Sequence, residues 1–450
     1  METYHSIINR LEEYRDNEFL VYKGISYLYA DLINSINNWF DKIKRIGIEQ
    51  GQCISIIGEY SFNAFSLFLA LQLNNNIIVP ISTEAKHLKD KIFDVACVDG
   101  YFESSENDEW NYTLIGPVPK HPLLNKLILN HEPGLVIFTS GTTGEKKGAV
   151  IQILKLISKF DNRERKPYRS LIFMKLDHIG GVNTFYSIIY NGGTIITAED
   201  RTPELVCSAI EENKVELLPT TPTFLNMLVI SGIFKLYDLS SLKVISYGTE
   251  PMPQSTLRVL NTIFPSIILK QTYGLTELGI FATKSRESDS TWMKIGGDGV
   301  ETRIVNNTLF IRTKSAMLGY LNAPSPFDEE GWYNTGDQVE IDGDYLKILG
   351  RKEDVINVGG DKVHPAEVES VLLEIPNIKE VIVYGKDSPV VGKLVAAKVV
   401  LINPEDIQDL KKRIYDFCRL KLQKHQIPRL ISISEKNLVN DQFKKKRELN

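Results

Sequence analysis

The residues best suited to chemistry follow a short apolar run at positions 135–138, which predicts a buried strand. Glycines, hydroxyl residues and lysines then crowd together: Thr139, Ser140, Gly141, Thr142, Thr143, Gly144, Lys146, Lys147 and Gly148. Glycine lets the backbone take positive φ, and successive N–H groups in such a turn bind anions. Hydroxyl and ammonium groups add further donors. The pattern predicts a loop that binds a polyphosphate, although a surface turn between two strands has a similar composition.

This loop differs from the phosphate-binding loop of P-loop NTPases. The pattern G-x-x-x-x-G-K-[ST] requires a second glycine five positions after the first, and Lys146 stands five positions after Gly141. The sequence therefore indicates a polyphosphate site of another kind.

A second group of candidates is the segment Gln-Thr-Tyr-Gly-Leu-Thr-Glu at 271–277. The ring of Tyr273, beside Gly274, is suited to stacking on a purine. Thr276 offers a hydroxyl to a phosphate, and Glu277 offers a carboxylate to Mg²⁺, which prefers oxygen ligands. A core aromatic residue and a helix-capping acid would explain the same residues if they stood alone.

Two further motifs offer groups for a sugar and for an acid. Asp337, in a Thr-Gly-Asp turn, can accept hydrogen bonds from both hydroxyls of a ribose, and Arg351 can reach the same ribose. Asp177 and His178 precede two glycines at the predicted start of a helix. A solvated turn aspartate and a structural histidine are the plain alternatives for these positions.

Length and composition describe an ordinary globular chain. Its 450 residues carry a net charge of −5, so nothing indicates a general nucleic-acid binder. The four cysteines are far apart without metal-ligand spacing, which favours a reduced, cytoplasmic setting. The N-terminal residues lack the continuous apolar stretch of a signal peptide. The longest near-apolar run, at 64–73, is too short to span a bilayer, and we expect a buried helix there.

Apolar strands alternate with helical stretches along most of the chain, which predicts an α/β fold with parallel strands and crossover helices. Between 302 and 340 the pattern changes to short strands and turns, which predicts a β-rich layer. Residues 102–111 are polar and acidic, and we expect an exposed loop there. After about Gly350 the pattern predicts a compact α+β module. Two domains are therefore expected, at 1–350 and 351–450.

Taken in order, the loop at 138–148 and the segments 271–277, 331–337 and 350–369 resemble the motifs of the adenylate-forming superfamily. This superfamily comprises acyl-CoA synthetases, peptide-synthetase adenylation domains and luciferases, and the resemblance covers nearly the whole chain. It implies a large N-terminal AMP-binding domain and a small, mobile C-terminal domain. It also implies ATP, Mg²⁺ and a small carboxylic acid as ligands, with coenzyme A or phosphopantetheine on a separate carrier protein as acceptor.

The resemblance also implies roles for single residues. The glycine-rich loop and Lys147 would hold the β- and γ-phosphates, and Glu277 would hold Mg²⁺. In the family's segment that contacts adenine, this chain has Gly248, Thr249 and Glu250. In the segment that contacts the pantetheine arm, it has Gly359 and Gly360. His178 suits the substrate carboxylate because His-Ile-Gly-Gly is the acyl-type pattern. A shift of one residue would instead place Asp177 on an amino group, as in amino-acid-activating relatives.

The chain departs from the family's pattern at three places. The family's last motif holds a catalytic lysine, and residues 441–449 here read Asp-Gln-Phe-Lys-Lys-Lys-Arg-Glu-Leu. We set Lys444 on that lysine, although three adjacent lysines leave the register open. Lys146 replaces the usual proline of the glycine-rich loop. Glu353 stands where the interdomain hinge is usually Asp or Lys.

Together these features predict a two-step ligase. A carboxylate attacks the α-phosphorus of ATP, giving an acyl-adenylate and pyrophosphate. The C-terminal domain then turns about Glu353 and a thiol takes the acyl group. No carrier domain follows in the sequence, so we expect coenzyme A or a separate carrier protein to serve. The alternatives are an amino-acid-activating enzyme that loads a stand-alone carrier protein, and an ATP-binding pseudoenzyme or partner subunit without turnover.

Overall fold

The computed structural model of the protein describes residues 2–140, 145–161, 167–198, 200–388 and 392–439. Its α-helices are α1 (Glu2–Glu12), α2 (Tyr29–Arg45), α3 (Phe62–Leu73), α4 (Lys89–Ala96), α5 (Pro122–Leu129), α6 (Ile153–Ile157), α7 (Ile179–Ile189), α8 (Pro203–Asn213), α9 (Pro222–Ser231), α10 (Gln254–Ile263), α11 (Pro365–Leu372) and α12 (Ile407–Cys418). Among the residues in those ranges, no helix has both the length and the apolar surface that crossing a membrane requires.

The strands fall into four main sheets and one small hairpin. The first half of the chain contributes β1 (Glu18–Tyr22), β2 (Ile25–Leu28), β3 (Cys53–Ile57), β4 (Ile77–Ile81), β5 (Gly100–Ser104), β6 (Trp110–Leu114), β7 (Gly134–Ser140), β8 (Lys146–Gln152), β9 (Arg169–Leu171), β10 (Thr194–Ile196) and β11 (Leu217–Thr220). The second half contributes β12 (Val244–Tyr247), β13 (Ile268–Gln271), β14 (Gly274–Leu275), β15 (Gly279–Ile280), β16 (Ala282–Ser285), β17 (Trp292–Gly296), β18 (Val300–Val305), β19 (Thr308–Thr313), β20 (Gly319–Tyr320), β21 (Tyr333–Asp342), β22 (Tyr345–Arg351), β23 (Ile356–Val358), β24 (Asp361–Val363), β25 (Ile378–Ser388), β26 (Gly392–Leu401) and β27 (Leu430–Ile433).

Two seven-stranded sheets form the centre of the larger part of the chain. The first sheet has the order β13-β12-β11-β9-β10-β1-β2, and the second has the order β20-β8-β7-β4-β3-β5-β6. Central neighbours pair in parallel, as β11 does with β12 and β3 does with β4. Parallel neighbours need crossover connections, which the intervening helices supply. The alternation of strands and helices in the sequence predicted this pairing.

Helices α3 and α7 pack in the core shared by the two sheets. Helix α3 is apolar on all sides, and its residues from Ala64 to Leu73 are buried. The rings of Phe65 in α3 and Phe185 in α7 stack with centroids 5.0 Å apart and planes 8° apart. The same buried cluster takes Leu20 from the first sheet and Ile54 from the second. The two sheets are therefore joined through this pair of rings.

A third sheet and a smaller fourth sheet complete the chain. The third is six-stranded, in the order β16-β17-β22-β21-β19-β18, and extends the predicted β-rich layer in both directions to 282–351. Strands β23 to β27 form the fourth sheet, against which α11 and α12 pack around their own buried cluster. The predicted α+β module at the C-terminal end has this architecture.

The expected exposed loop at 102–111 is wrong. Strands β5 and β6 pair antiparallel, and only residues 105–109 connect them. Phe102 is fully buried and Trp110 is nearly so, because alternate side chains of a strand face the core. The acidic and polar residues that suggested a loop lie in the turn and on the outer face.

The stacked rings generate a stability prediction. Phe65→Ala should lower the free energy of unfolding by about 3–5 kcal/mol, because it leaves a cavity between the two sheets. Leu129→Ala is the control, since that side chain is 79% exposed and its loss should change stability by less than about 0.5 kcal/mol. Urea denaturation followed by intrinsic fluorescence measures both. Equal effects of the two substitutions would contradict the role of the ring pair.

Candidate active site

A cavity of about 510 Å³ opens where the carboxyl ends of the first sheet meet the β7–β8 hairpin and the third sheet. Its lining residues are Thr139, Lys147, Met174, His178, Ile179, Gly180, Asn183, Thr184, Pro219, Thr220, Ser246, Gly248, Thr249, Thr272, Gly274, Leu275, Thr276, Glu277, Ile280, Tyr320, Tyr333, Arg351 and Glu353. Ligands of open α/β sheets bind outside the carboxyl ends of the strands, which is where this cavity lies. The lining thus includes nine of the residues chosen from the sequence, namely Thr139, Lys147, His178, Gly248, Thr249, Gly274, Thr276, Glu277 and Arg351. Glu353, expected from the sequence to be the hinge, also lines it.

The strands of the glycine-rich loop place a hydroxyl and an ammonium side by side. Thr139 of β7 lies opposite Lys147 of β8 in the antiparallel ladder, so both side chains leave the same face. Lys146, the next residue along β8, points to the other face and is exposed. Of the two lysines, Lys147 is the one on the cavity wall. Gly141, Thr142, Thr143 and Gly144 lie outside the described residues, and only the backbone of Ser140 is described.

Asn322 braces the base of this loop. Its Oδ1 accepts a hydrogen bond from Gly148 N at 3.0 Å, and its Nδ2 donates to Lys146 O at 2.9 Å. The side-chain amide thus hydrogen-bonds to the backbone of β8 in the way that a neighbouring strand would. The backbone of Lys146 also pairs with Ser140 across the hairpin. These contacts restrain the backbone at position 146, where the family usually has the more rigid proline.

Two loops after neighbouring parallel strands touch at the edge of the first sheet. A Cβ added to Gly248 would lie 2.3 Å from Oγ1 of Thr272, so only glycine fits. Thr272 Oγ1 donates to Tyr247 O at 3.0 Å, which fixes that approach. The next residue, Thr249, has φ 76°, in the left-handed region that favours glycine. A strained residue of this kind beside a cavity is typical of a functional site.

Glu277 lies in the turn of the β14–β15 hairpin and is 8% exposed. The hydroxyl of Tyr320 donates to its Oε1. Burial and the neighbouring Glu277 carboxylate raise the pKa of Tyr320 well above its ordinary value, so this hydroxyl stays protonated and remains a donor. The ammonium of Lys147 lies 5.4 Å from the centroid of the same ring. Tyr320 therefore contacts both the candidate metal ligand and the candidate phosphate ligand.

Sequence reasoning missed Tyr320. The residue belongs to β20, which pairs with β8 across a separation of about 170 positions (Tyr320 opposite Ala149). No local motif announces such a pairing, because it depends on the return of the chain to the second sheet. An isolated Gly-Tyr dipeptide gave no signal that could have found it.

Asp337 and Arg351 are direct partners in the antiparallel pair β21–β22. Arg351 Nε lies 3.1 Å from Asp337 Oδ1, and the hydroxyl of Tyr273 donates to Oδ2 of the same carboxylate. Asp337 is 6% exposed. Burial raises the pKa of Asp337, and the Arg351 charge and the Tyr273 hydrogen bond counteract part of that rise. The two residues predicted to hold a ribose thus lie together, with Arg351 on the cavity wall and the buried Asp337 behind it.

Four other predicted residues lie off the cavity wall. The ring of Tyr273 packs on Phe281, with centroids 6.2 Å apart and planes 18° apart. Glu250 accepts a hydrogen bond from Thr223 N at 2.8 Å, at the N-terminus of α9, where a carboxylate is stabilised. Gly359 and Gly360 form the turn between β23 and β24 and are absent from the lining. Their contacts with adenine and pantetheine stay predictions.

Asp177 and His178 face different surroundings. Asp177 accepts a hydrogen bond from Ser82 N at 3.2 Å and lines a separate small cavity with Tyr60 and Trp110. His178 caps α7, since its Nδ1 accepts from Gly180 N at 3.0 Å. That acceptor role puts the proton of a neutral ring on Nε2. His178, and not Asp177, is the member of the pair on the wall of the large cavity.

The Asp337 cluster generates a prediction on pH. Arg351→Met removes the cation, so the pKa of buried Asp337 should rise further above its unfolded value. An acid with a raised pKa in the folded state loses stability as pH rises through that pKa. We expect a loss in the free energy of unfolding of about 1–3 kcal/mol near pH 7.5 and a smaller loss near pH 5, measured by urea denaturation.

The matched control for that substitution is Arg312→Met. Arg312 pairs with Glu301 across the same sheet, but both side chains are exposed. Its removal should change stability little and equally at the two pH values, because surface ion pairs contribute little. A loss in Arg351→Met that does not depend on pH would contradict the role assigned to Asp337.

Comparison with known proteins shows which proteins this chain is similar to. An indoleacetate–CoA ligase of Aromatoleum aromaticum is 29% identical over 308 residues, 63% of this chain and 59% of that protein. The chain thus aligns with less than two thirds of that relative. A putative acyl–CoA ligase of Bacillus subtilis, YdaB, is 24% identical over 467 residues, which cover 92% of this chain and 90% of the relative.

A solved structure supports the same fold. The anthranilate CoA ligase AuaEII, in complex with anthranoyl-AMP, superimposes with a TM-score of 0.84 at 19% identity, covering 98% of this chain and 95% of that one. At that identity the match establishes the fold, and it confirms the predicted α/β class with its small C-terminal module.

Two family models match the sequence in the order that the motifs indicated. The model of the AMP-binding enzymes matches residues 86–321, more than half of the chain, and that of the AMP-binding enzyme C-terminal domain matches residues 367–440. The chain therefore belongs to the family of AMP-binding, adenylate-forming enzymes, as its ordered motifs predicted.

Proposed function

We propose that the protein is an ATP-dependent carboxylic acid ligase that forms an acyl-adenylate and pyrophosphate and then transfers the acyl group to a thiol. One observation carries this proposal. A single cavity brings groups suited to a polyphosphate (Thr139, Lys147) together with a buried acid suited to a cation (Glu277) and a histidine suited to a carboxylate (His178). Indoleacetate, acyl and anthranilate ligases among its relatives and neighbours, all named for coenzyme A, support the same chemistry.

The residues at the phosphate end fit Mg²⁺ bound with ATP. Mg²⁺ usually takes one or two carboxylates together with substrate phosphates and waters, not an all-protein cage. Glu277 supplies one buried carboxylate, Thr276 stands beside it, and no larger acidic or histidine cluster occurs in the described parts of the chain. Bound there, the ion would neutralise charge on the phosphates. Lys147 and Thr139 would bind the departing pyrophosphate on the side opposite to the ion.

The residues at the His178 end of the cavity favour a carboxylic acid without an α-amino group over an amino acid as substrate. His178 Nε2, which carries the ring proton when Nδ1 accepts from Gly180 N, can donate to a carboxylate at the N-terminus of α7. An amino-acid-activating enzyme would need the Asp177 carboxylate in the same cavity, and Asp177 is engaged with Ser82 N elsewhere. We therefore retain the acyl-activating alternative and not the amino-acid one.

The proposed catalytic lysine, Lys444, lies outside the described residues. The last described residue, Val439, lines a groove between the two parts of the chain together with Thr223 and Glu250, each close in sequence to a residue of the cavity wall. Glu380, 6% exposed, anchors this end of the chain by accepting from Leu438 N at 2.7 Å. The position of Lys444 at the site of reaction therefore stays a prediction.

The thiol step requires a different arrangement of the C-terminal module. In the arrangement described here, Ser255 Oγ donates to Ser370 O at 3.1 Å, which holds α11 against α10. The Gly359–Gly360 turn stays off the cavity wall. We propose that rotation at Glu353 moves the segment with Lys444 away from the cavity and brings the Gly359–Gly360 turn to it. The glycines of this turn leave room for a pantetheine arm. Coenzyme A and a separate phosphopantetheinyl carrier protein present the same arm, and assays with each acceptor distinguish them.

The first test of this function divides the reaction into its halves. Lys444→Ala should reduce acid-dependent pyrophosphate release about 100-fold or more, because it removes the positive charge where carboxylate and α-phosphate meet. Thioester formation from a supplied acyl-adenylate should be largely retained. Single-turnover assays of each half-reaction measure the two effects.

Lys445→Ala and Lys446→Ala are the matched controls, since they remove the same charge from adjacent positions. If Lys445→Ala shows the larger loss of pyrophosphate release, the register moves by one residue. Equal loss of both half-reactions in Lys444→Ala would contradict the role given to that lysine.

A second test concerns the residue that holds Glu277. Tyr320→Phe removes the hydroxyl donor but keeps the ring beneath Lys147, so Glu277 loses its orientation. The Mg²⁺ concentration needed for half-maximal pyrophosphate release should rise about tenfold, as is typical when an outer partner of a metal ligand is lost. Tyr112→Phe, in β6 away from the cavity, should leave it unchanged. An unaltered Mg²⁺ dependence in Tyr320→Phe would contradict this arrangement.

A further inference from the structure

One face of α7 lines the cavity beyond His178. Gly180, Asn183 and Thr184 follow the helical spacing of three and four residues, so these residues lie on the same face. Ile280 and Leu275 of the β14–β15 hairpin supply apolar wall to the same cavity. This part of the cavity therefore combines apolar wall with the hydroxyl of Thr184 and one amide side chain, that of Asn183.

The orientation of the Asn183 amide is fixed by a lysine behind it. Lys159 Nζ donates to Asn183 Oδ1 at 2.5 Å and to Ile280 O at 2.8 Å. An ammonium group only donates hydrogen bonds, so the oxygen of the amide must face Lys159. The NH₂ group is then the free end of the amide. In the described parts of the chain, Nδ2 of Asn183 donates to no acceptor.

We propose that Asn183 determines substrate specificity by donating a hydrogen bond to an acceptor on the tail of the acid. This inference rests on the proposed function, in which His178 meets the carboxylate. Asn183 stands five positions after His178, about 7.5 Å along the helix axis. The substrate class is therefore a compact acid, roughly one aromatic ring long, with a hydroxyl, carbonyl or ring-nitrogen acceptor at the end opposite its carboxylate.

A long unbranched fatty acid fits this cavity poorly. Its methylene chain would cover the amide of Asn183 and leave the N–H groups without partners, which disfavours binding. The cavity of about 510 Å³ must also hold the nucleotide, and cavities of this size ordinarily take one drug-sized ligand. Near Asn183, the apolar side chains of Leu275 and Ile280 beside a placed donor suit a small aromatic acid.

The test compares acids that differ only in the acceptor. In the para-substituted benzoate and phenylacetate series, hydroxyl is paired with methyl and acetyl with isopropyl, and kcat/KM is measured by pyrophosphate release at saturating Mg·ATP. The wild-type enzyme should prefer each acceptor-bearing acid by about tenfold or more, because a site built for a hydrogen bond rejects the analogue that lacks it.

Variants locate the effect at the amide. Asn183→Leu keeps the size of the side chain but has no donor, so the preference should disappear while the methyl and isopropyl acids are still activated. Asn183→Asp retains the contact with Lys159 but offers only acceptors, so hydroxyl acids should keep an advantage that acetyl acids lose. Lys159→Met frees the amide to rotate and should weaken the preference of the wild type without abolishing activity.

The outcomes separate this inference from the function on which it rests. Pyrophosphate release with equal efficiency for acids with and without the acceptor upholds the ligase and overturns the role of Asn183. A preference that survives in Asn183→Leu overturns it as well. Failure of every acid to release pyrophosphate, with ATP still bound, overturns the proposed function and the inference together.

Discussion

The site depends on burying two carboxylates, one in the wall of a cavity that must also bind an anion and one behind that wall. Glu277 is 8% exposed and Asp337 is 6% exposed, and a buried charge is costly without a partner. Each carboxylate accepts a hydrogen bond from a tyrosine hydroxyl, Glu277 from Tyr320 and Asp337 from Tyr273. Burial raises the pKa of both tyrosines, so they remain donors wherever the carboxylates are ionised. The acids are thereby held in place for the cation and the sugar that we propose they bind.

These contacts tie together parts of the chain that are distant in sequence. Tyr320 belongs to the second sheet and Glu277 to the hairpin before the third sheet, so their hydrogen bond joins these two parts at the end of the cavity where we propose that phosphates bind. Arg351 ends β22, holds Asp337 and precedes Glu353 on the cavity wall. A rotation of the C-terminal module at Glu353 would therefore start next to the residue that organises the sugar site. The guanidinium of Arg351 would therefore connect the proposed hinge with the proposed nucleotide site.

The sequence predicted part of this site because several of its motifs are local. Thr139 and Lys147 flank one loop, Thr276 and Glu277 share one turn, and strand alternation placed the parallel sheets. What it could not predict depends on distant pairing or on which way a side chain turns. Tyr320 reaches Glu277 only because β20 returns to β8, and the choice between Asp177 and His178 required the cap of α7. The Glu250 carboxylate lies at the N-terminal end of α9, because the backbone N–H and the hydroxyl of Thr223 both donate hydrogen bonds to it.

The central claim is that the acid's own oxygen attacks the α-phosphorus of ATP. Incubation with an acid labelled with oxygen-18 in its carboxylate, followed by mass spectrometry of the products after thiol transfer, tests that claim directly. The account predicts one labelled oxygen in AMP and none in pyrophosphate. Formation of ADP with the label in phosphate, or of AMP without label, would contradict it.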